Sequence, residues 1–228
     1  MKNGILYGVG VGPGEPELLT MKAARLIRES EVVALPGNTP EETLAYQTAV
    51  EAVPELAEKT LLPLDTPMVY DLELLAEAHR KNAREVASYL EAGKDVVYLC
   101  LGDPGVYGSF NNLRAEVAAL GFACETVAGI TSFCAAAARL GIPLSDWDEH
   151  LHIVPCVMLS EDYVLEDANY IFMKPGKKVP LLKRLIAEGG YDGYAVMRCG
   201  MEGEQVFYDL EDLPDDVGYM TLIIAKKR

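Results

Sequence analysis

Asp95-Val96-Val97-Tyr98-Leu99-Cys100-Leu101-Gly102-Asp103-Pro104-Gly105 is the run whose reading decides the fold. The unbroken apolar stretch from Val96 to Leu101 is short for a helix. It is rich in β-branched and aromatic residues, and it stops at a Gly-Asp-Pro-Gly cluster. That combination reads as a strand buried on both faces that runs straight into a loop. Ahead of it, residues 71 to 91 have helical periodicity, with Leu72, Leu75, Ala76, Ala83, Val86 and Leu90 on one side and Gly93 as the stop. Behind it, a helix runs through Leu120 to Gly121, and a strand covers Phe122 to Val127. Strand and helix in alternation predict an α/β domain with a mainly parallel sheet.

The pattern extends to the N-terminal side. Ile5 to Val11 reads as a buried strand, Gly12-Pro13-Gly14-Glu15 as a turn, and Pro16 as a first helical residue ahead of Leu18, Leu19, Ala23, Leu26 and Ile27. A second strand at Glu31 to Leu35 precedes a helix over about residues 41 to 52. The C-terminal half has a different texture. A short alanine-rich helix, Cys134 to Leu140, is followed by strands near 151–156, 169–173, 193–199, 204–208 and 218–226, with helices near 160–167 and 179–188. Consecutive strands near the end imply antiparallel pairing, hence a mixed sheet. The expected boundary lies near Gly121, dividing the chain into an N-terminal α/β domain (1–120) and a C-terminal α/β domain (121–228).

Composition narrows the function. The 228 residues are 50% hydrophobic, enough for two cores. The formal net charge is −15, which argues against a nucleic-acid binder, because phosphate binding needs clustered Lys and Arg. No apolar run approaches the roughly 18 residues that span a bilayer, and the first residues lack a secretory pattern, so a cytoplasmic enzyme without a membrane partner is expected. The five cysteines, Cys100, Cys124, Cys134, Cys156 and Cys199, are scattered and odd in number. They read as free thiols rather than disulfides or metal ligands, and no protein-bound metal is expected.

The N-terminal glycines invite a dinucleotide reading, but G-x-G-x-x-G fails: from Gly8 the last position is Pro13, from Gly10 it is Glu15, from Gly12 it is Glu17. A P-loop fails as well, since Asp95 follows Gly93-Lys94 and Lys178 follows Gly176-Lys177. What remains is two glycine-rich loops at two strand ends, where open parallel sheets bind ligands, and a third segment, Gly129-Ile130-Thr131-Ser132, opening a helix. Asp103 is either a cap for the helix after it or a ligand contact. Thr131 and Ser132 are likewise caps or ligand contacts.

Taken together, three segments carry a likeness: Gly12-Pro13-Gly14-Glu15-Pro16-Glu17-Leu18-Leu19-Thr20, Gly102-Asp103-Pro104 with Tyr107, and Gly129-Ile130-Thr131-Ser132-Phe133. In this order and spacing they resemble the tetrapyrrole (corrin/porphyrin) methylase family from end to end. Within the family the chain is most similar to the carbon-20 methyltransferases of precorrin-2 and cobalt-factor II. That likeness leans on residues 7–14, Ser132 to Gly141, Met173 to Lys177 and Arg198 to Met201. Glu15 stands where Asp is commoner.

The resemblance implies two α/β domains forming the tetrapyrrole methylase fold with the active site in the cleft between them, and a homodimer. It implies an S-adenosylmethionine-dependent C-methyltransferase that methylates carbon-20 of precorrin-2 or cobalt-factor II in cobalamin (vitamin B12) biosynthesis. Carried over residue by residue, Gly102, Asp103, Val106 and Tyr107 would line the methionine end of S-adenosylmethionine, with Thr131 and Ser132 beside it. Met173, Cys199, Met220 and Thr221 would frame the adenosine. Pro13 and Glu15 face the substrate side, where Arg139 and Lys174 would hold carboxylates. Lys22, Arg114, Lys177 and Arg198 are further candidates for that anion patch. No catalytic base is named, although Glu15, Asp103 and Tyr107 sit on the right loops. Two other readings stay open: a family member with another acceptor, and a non-catalytic S-adenosylmethionine-binding protein.

Overall fold

The computed structural model describes residues 2–65 and 71–228. The chain divides into two compact units, Met1–Thr131 and Ser132–Arg228. Gly121, where the sequence suggested a boundary, precedes a strand that belongs to the first sheet.

The first unit contains β1 (Leu6–Gly10), α1 (Met21–Glu29), β2 (Val32–Pro36), α2 (Leu44–Ala52), β3 (Thr60–Leu64), α3 (Leu72–Glu91), β4 (Val96–Cys100), α4 (Phe110–Ala119) and β5 (Cys124–Val127). All five strands are parallel, in the order β3-β2-β4-β1-β5. Alternating strand residues feed two cores. Val9, Val33, Leu35, Val97 and Leu99 pack with Ala23, Leu26 and Ile27 of α1 and Ala45 and Ala49 of α2. Leu6, Val32, Ala34, Val96 and Tyr98 pack on the other face with Ala83, Val86 and Leu90 of α3 and Phe110, Leu113 and Val117 of α4. A sheet covered on both faces is why these strands read as continuous apolar runs.

Several sequence expectations shift. Pro16 opens a short 3-10 turn, Pro16–Leu18, and α1 begins only at Met21, where Thr20 accepts the Ala23 amide at 3.2 Å. Leu75 and Ala76 are half-buried, while the side chain of Leu72 lies outside the described residues. Strand β3 was not expected. Its Pro63 suits an edge strand, where the missing N–H interrupts no ladder on the open side.

The second unit comprises α5 (Ser132–Leu140), β6 (Leu151–Pro155), β7 (Asn169–Met173), α6 (Val179–Gly189), β8 (Tyr191–Met197), β9 (Gln205–Phe207) and β10 (Thr221–Lys227). Its sheet is mixed, in the order β6-β7-β10-β8-β9, with β6 and β7 parallel and the other pairs antiparallel. Tyr170, Phe172, Ala195 and Ile223 pack against Val179, Leu182 and Ile186 of α6, and α5 packs against β8 and β10. The helix expected near 160–167 is absent: that stretch forms a turn closed by Tyr163 N donating to Ser160 O, and Val164 is left 76% exposed. Tyr163 and Leu165 pack against the core of this unit, but they make no stripe at helical spacing, and helix propensity alone does not sustain the segment. Among the described residues, no helix is long and apolar enough to cross a membrane.

Candidate functional site

Chain topology locates the candidate site of the first unit. From β1 the chain crosses to β2 through α1 on one face of the sheet, and from β4 it crosses to β5 through α4 on the other. The carboxyl ends of the adjacent strands β1 and β4 therefore form a topological switch point, the place where open parallel sheets receive ligands.

Three loops meet there, and glycines let them meet. Gly12 and Gly102 exchange backbone hydrogen bonds, Gly102 N to Gly12 O at 2.6 Å and Gly12 N to Gly102 O at 3.3 Å. A Cβ on Gly129 would stand 2.2 Å from Gly102 O and 2.8 Å from Gly10 Cα, so the backbones following β1, β4 and β5 touch at a point that admits no side chain. Asp103 fastens the arrangement. Its Oδ1 accepts from Gly105 N at 2.7 Å and its Oδ2 from Gly129 N at 2.8 Å. Asp103 does not cap α4, which starts at Phe110 after Ser109. A carboxylate has room for further donors beyond these two.

Beside the clamp, Pro13 and Gly102 are buried, Glu15 and Val106 are half-buried, and Tyr107 is 54% exposed. Tyr107 holds φ at +51°, a conformation costly for a bulky residue and concentrated at functional sites. Below the loops, burial pushes the Cys100 thiol up to about 12, helped by the Asp103 charge. Burial also pushes the Tyr98 phenol up to about 12, against the hydrogen bond it shares with Ser109 at 3.0 Å. Both side chains lie in the core covered by α3 and α4. Thr131 Oγ1 is enclosed and has no hydrogen-bond partner among the described residues. An orphaned hydroxyl at a glycine-lined mouth is what a polar ligand would satisfy.

The second unit gathers its candidates at one end of its sheet. Met173 ends β7 and Lys174 follows it, Arg198 and Cys199 follow β8, and Tyr219 and Met220 lead into β10, which begins at Thr221 and lies between those strands. Arg198 N donates to Met220 O at 2.7 Å, tying two of these segments together. Lys174 and Arg198 are both left-handed, at φ +58° and +52°. Lys174 Nζ sits 4.7 Å from the Tyr219 ring centroid, a cation–π contact. Cys199 and Thr221 are buried, and the Thr221 hydroxyl donates to Gly218 O at 2.9 Å. Arg139, on the last turn of α5, pairs with Glu204 at 3.1 Å.

Not every expected cation joins these groups. Lys22 lines a separate hollow with Arg25, Glu29, Asp95 and Glu125. Arg114 is exposed on α4, and Lys177 is exposed on the turn after β7. Sequence reading did not reach Glu204, whose ion-pair partner Arg139 is remote along the chain, nor the mutual contact of Gly10 and Gly129, for which the glycines themselves were the only signal. Among the described residues, no group of three or more His, Cys, Asp or Glu side chains could hold a metal ion.

The family model for Tetrapyrrole (Corrin/Porphyrin) Methylases matches residues 5–214. The chain is 29% identical to a precorrin-2 C(20)-methyltransferase of Sinorhizobium sp, over 97% of this chain and 95% of the relative. It is 31% identical to a probable cobalt-precorrin-2 C(20)-methyltransferase of Methanocaldococcus jannaschii, over 97% and 96% respectively. Among solved structures it is similar to a uroporphyrin-III C-methyltransferase from Thermus thermophilus complexed with S-adenyl homocysteine, at a TM-score of 0.66 and 25% identity, covering 98% of this chain and 97% of that one.

Proposed function

This chain belongs to the tetrapyrrole (corrin/porphyrin) methylases, and from that premise we propose that it transfers a methyl group from S-adenosylmethionine to carbon-20 of precorrin-2 or its cobalt complex, a step of cobalamin biosynthesis. What carries the reading is the end-to-end likeness to a precorrin-2 C(20)-methyltransferase and to a probable cobalt-precorrin-2 C(20)-methyltransferase. The family likeness also supports a homodimer working in the cytoplasm.

The residues present fit the methyl donor. A glycine-lined mouth where backbones touch admits a ligand close to main-chain amides, and Thr131 Oγ1 supplies an unspent hydroxyl. On this reading Gly102, Asp103, Val106, Tyr107, Thr131 and Ser132 hold the methionine end. Met173, Cys199, Met220 and Thr221 frame the adenosine. When bound, S-adenosylmethionine supplies a sulfonium that activates its methyl group as an electrophile, and the electron-rich macrocycle supplies the carbon nucleophile. The protein's work is alignment and exclusion of water. The Asp103 clamp fixes the loop that carries Val106 and Tyr107. Pro13 and Glu15 shape the substrate side. Lys174 and Arg198, presented at strand ends by left-handed backbone, hold substrate carboxylates by charge-assisted hydrogen bonds and so choose which carbon is offered.

The test is carbon NMR of the product made with labelled methyl donor and precorrin-2, with and without cobalt. Label on the carbon-20 bridge is expected. Label on another carbon leaves the family membership and removes the regiochemistry.

A further inference from the structure

We propose that Glu204 is a positioning residue for the S-adenosylmethionine site, a carboxylate clamp that holds the turn after β8 against helix α5. The inference rests on the function proposed above, because it concerns two segments assigned there to the methyl donor.

Glu204 lies immediately before β9, with its side chain 23% exposed. Its two carboxylate oxygens divide their work. Oε2 accepts from Gly200 N at 2.6 Å, and Oε1 lies 3.1 Å from Arg139 Nε. Gly200 directly follows Cys199, proposed above to frame the adenosine. Arg139 sits on the last turn of α5, whose first residue is Ser132, proposed to lie at the methionine end.

The turn does not need Glu204 in order to form. Met201 N donates to Arg198 O at 2.9 Å, Glu204 N donates to Met201 O at 3.1 Å, and Arg198 Nε donates to Glu202 O at 2.7 Å. These bonds close it from within. What the Glu204 side chain adds is a link to a separate element. A helix of this length moves as a rod, so a restraint applied at Arg139 is felt at Ser132. The carboxylate therefore sets the position of Cys199 relative to Ser132, the two ends of the donor. The link is charge-assisted on both sides and leaves Glu204 23% exposed, where such bonds are stronger than at an open surface. Glutamine can still accept from Gly200, but it then turns an amide N–H toward Arg139, another donor, and the clamp opens on that side.

The experiment uses the full chain with the Glu204→Ala, Glu204→Gln, Arg139→Ala and Glu204→Ala/Arg139→Ala variants. It measures the dissociation constant of S-adenosylmethionine by calorimetry, KM and kcat with precorrin-2, and hydrogen exchange at Gly200. For Glu204→Ala we expect about a tenfold rise in the donor's Kd and KM with kcat within about twofold, as suits a lost binding contact rather than lost chemistry. Exchange at Gly200 accelerates. Adding Arg139→Ala to Glu204→Ala brings no further loss, because the two residues act as one unit. Arg139→Ala and Glu204→Gln each show a smaller loss in the same direction, and they carry the test if Glu204→Ala does not fold. Unchanged donor affinity in any folded variant lacking the pair overturns the proposal, and so do additive losses in the double variant. A wild-type protein that binds no S-adenosylmethionine overturns the function itself and this inference with it.

Discussion

Asp103 accepts the Gly129 amide at 2.8 Å, and that one bond joins the loop after β4 to the loop after β5 across the end of β1. Its other oxygen holds Gly105 at 2.7 Å. Asp103→Ala leaves two backbone donors without their acceptor, and the Gly129 amide is part-buried. The variant is expected to lose about 1–3 kcal/mol of stability and to bind S-adenosylmethionine about tenfold more weakly, because the loop bearing Val106 and Tyr107 is released. Thermal melting and calorimetry check both. Intact melting together with intact affinity would show that the clamp is dispensable.

The contact beneath that clamp is steric. A methyl group on Gly129 would stand 2.2 Å from Gly102 O, a backbone atom that cannot swing aside. Gly129→Ala must spread two strand-end loops, and a cost of about 1–3 kcal/mol is expected, as for overpacking in a close-packed interior. Substitution at Gly37 is the converse case: its added Cβ meets nothing within 4 Å but its φ is +91°, so it carries conformational strain without close approach, whereas Gly129 carries close approach without positive φ. A Gly129→Ala variant that melts like the wild type would show that close approach is not the constraint.

Much of this architecture was legible because its signals are local. The apolar run Val96 to Leu101, the stop at Gly93 and the spacing of strands in the C-terminal half predict elements that the structure contains nearly in place. What escaped had weak local signals or distant partners. Strand β3 carries Pro63 and is half exposed, so neither alternation nor a continuous run marks it. The segment 160–167 has helix-forming residues, but Tyr163 and Leu165, which pack on the core, do not form a stripe at helical spacing. Asp103 announced itself only as a cap or a ligand contact; its partner at Gly129 is fixed by how the loops are stacked, which depends on strand order. The pairing of Arg139 with Glu204 is of the same kind, since charges in sequence do not say which opposite charge they will meet.

Glu149 gives the second unit a pH signature. Its Oε2 accepts from Lys226 Nζ at 2.8 Å, Asp146 N at 2.9 Å and Asn169 Nδ2 at 2.7 Å. These donors, Lys226 first, hold its carboxyl down from 4.5 to about 2. A carboxylate held down in the fold contributes stability that is fully present above its unfolded value and is lost as pH falls toward the folded one. The melting temperature should therefore decline between pH 4.5 and about 2. Glu149→Gln should lie below the wild type at neutral pH and converge on it through that window. A gap that stays constant across the window would mean the carboxylate is not coupled to folding.

Lys174 separates charge from strain. It follows β7 with φ at +58°, and its ammonium rests over the Tyr219 ring at 4.7 Å. A side chain in the left-handed region costs on the order of 1 kcal/mol, which glycine does not incur. Lys174→Ala removes the cation and keeps the strain; Lys174→Gly removes both. The glycine variant is therefore expected to melt higher than the alanine variant, by about 1 kcal/mol in stability. If the ammonium holds a substrate carboxylate, both variants raise the Michaelis constant for the tetrapyrrole to the same degree, while affinity for S-adenosylmethionine stays near that of the wild type. Tyr219→Phe keeps a ring under the ammonium and should leave the Michaelis constant close to normal, whereas Tyr219→Ala frees the side chain and should raise it. Steady-state kinetics with both substrates varied, alongside thermal melts, decides the matter. A glycine variant that regains normal substrate affinity would assign the role to the backbone turn, and an unchanged constant in both variants would return Lys174 to the solvated surface.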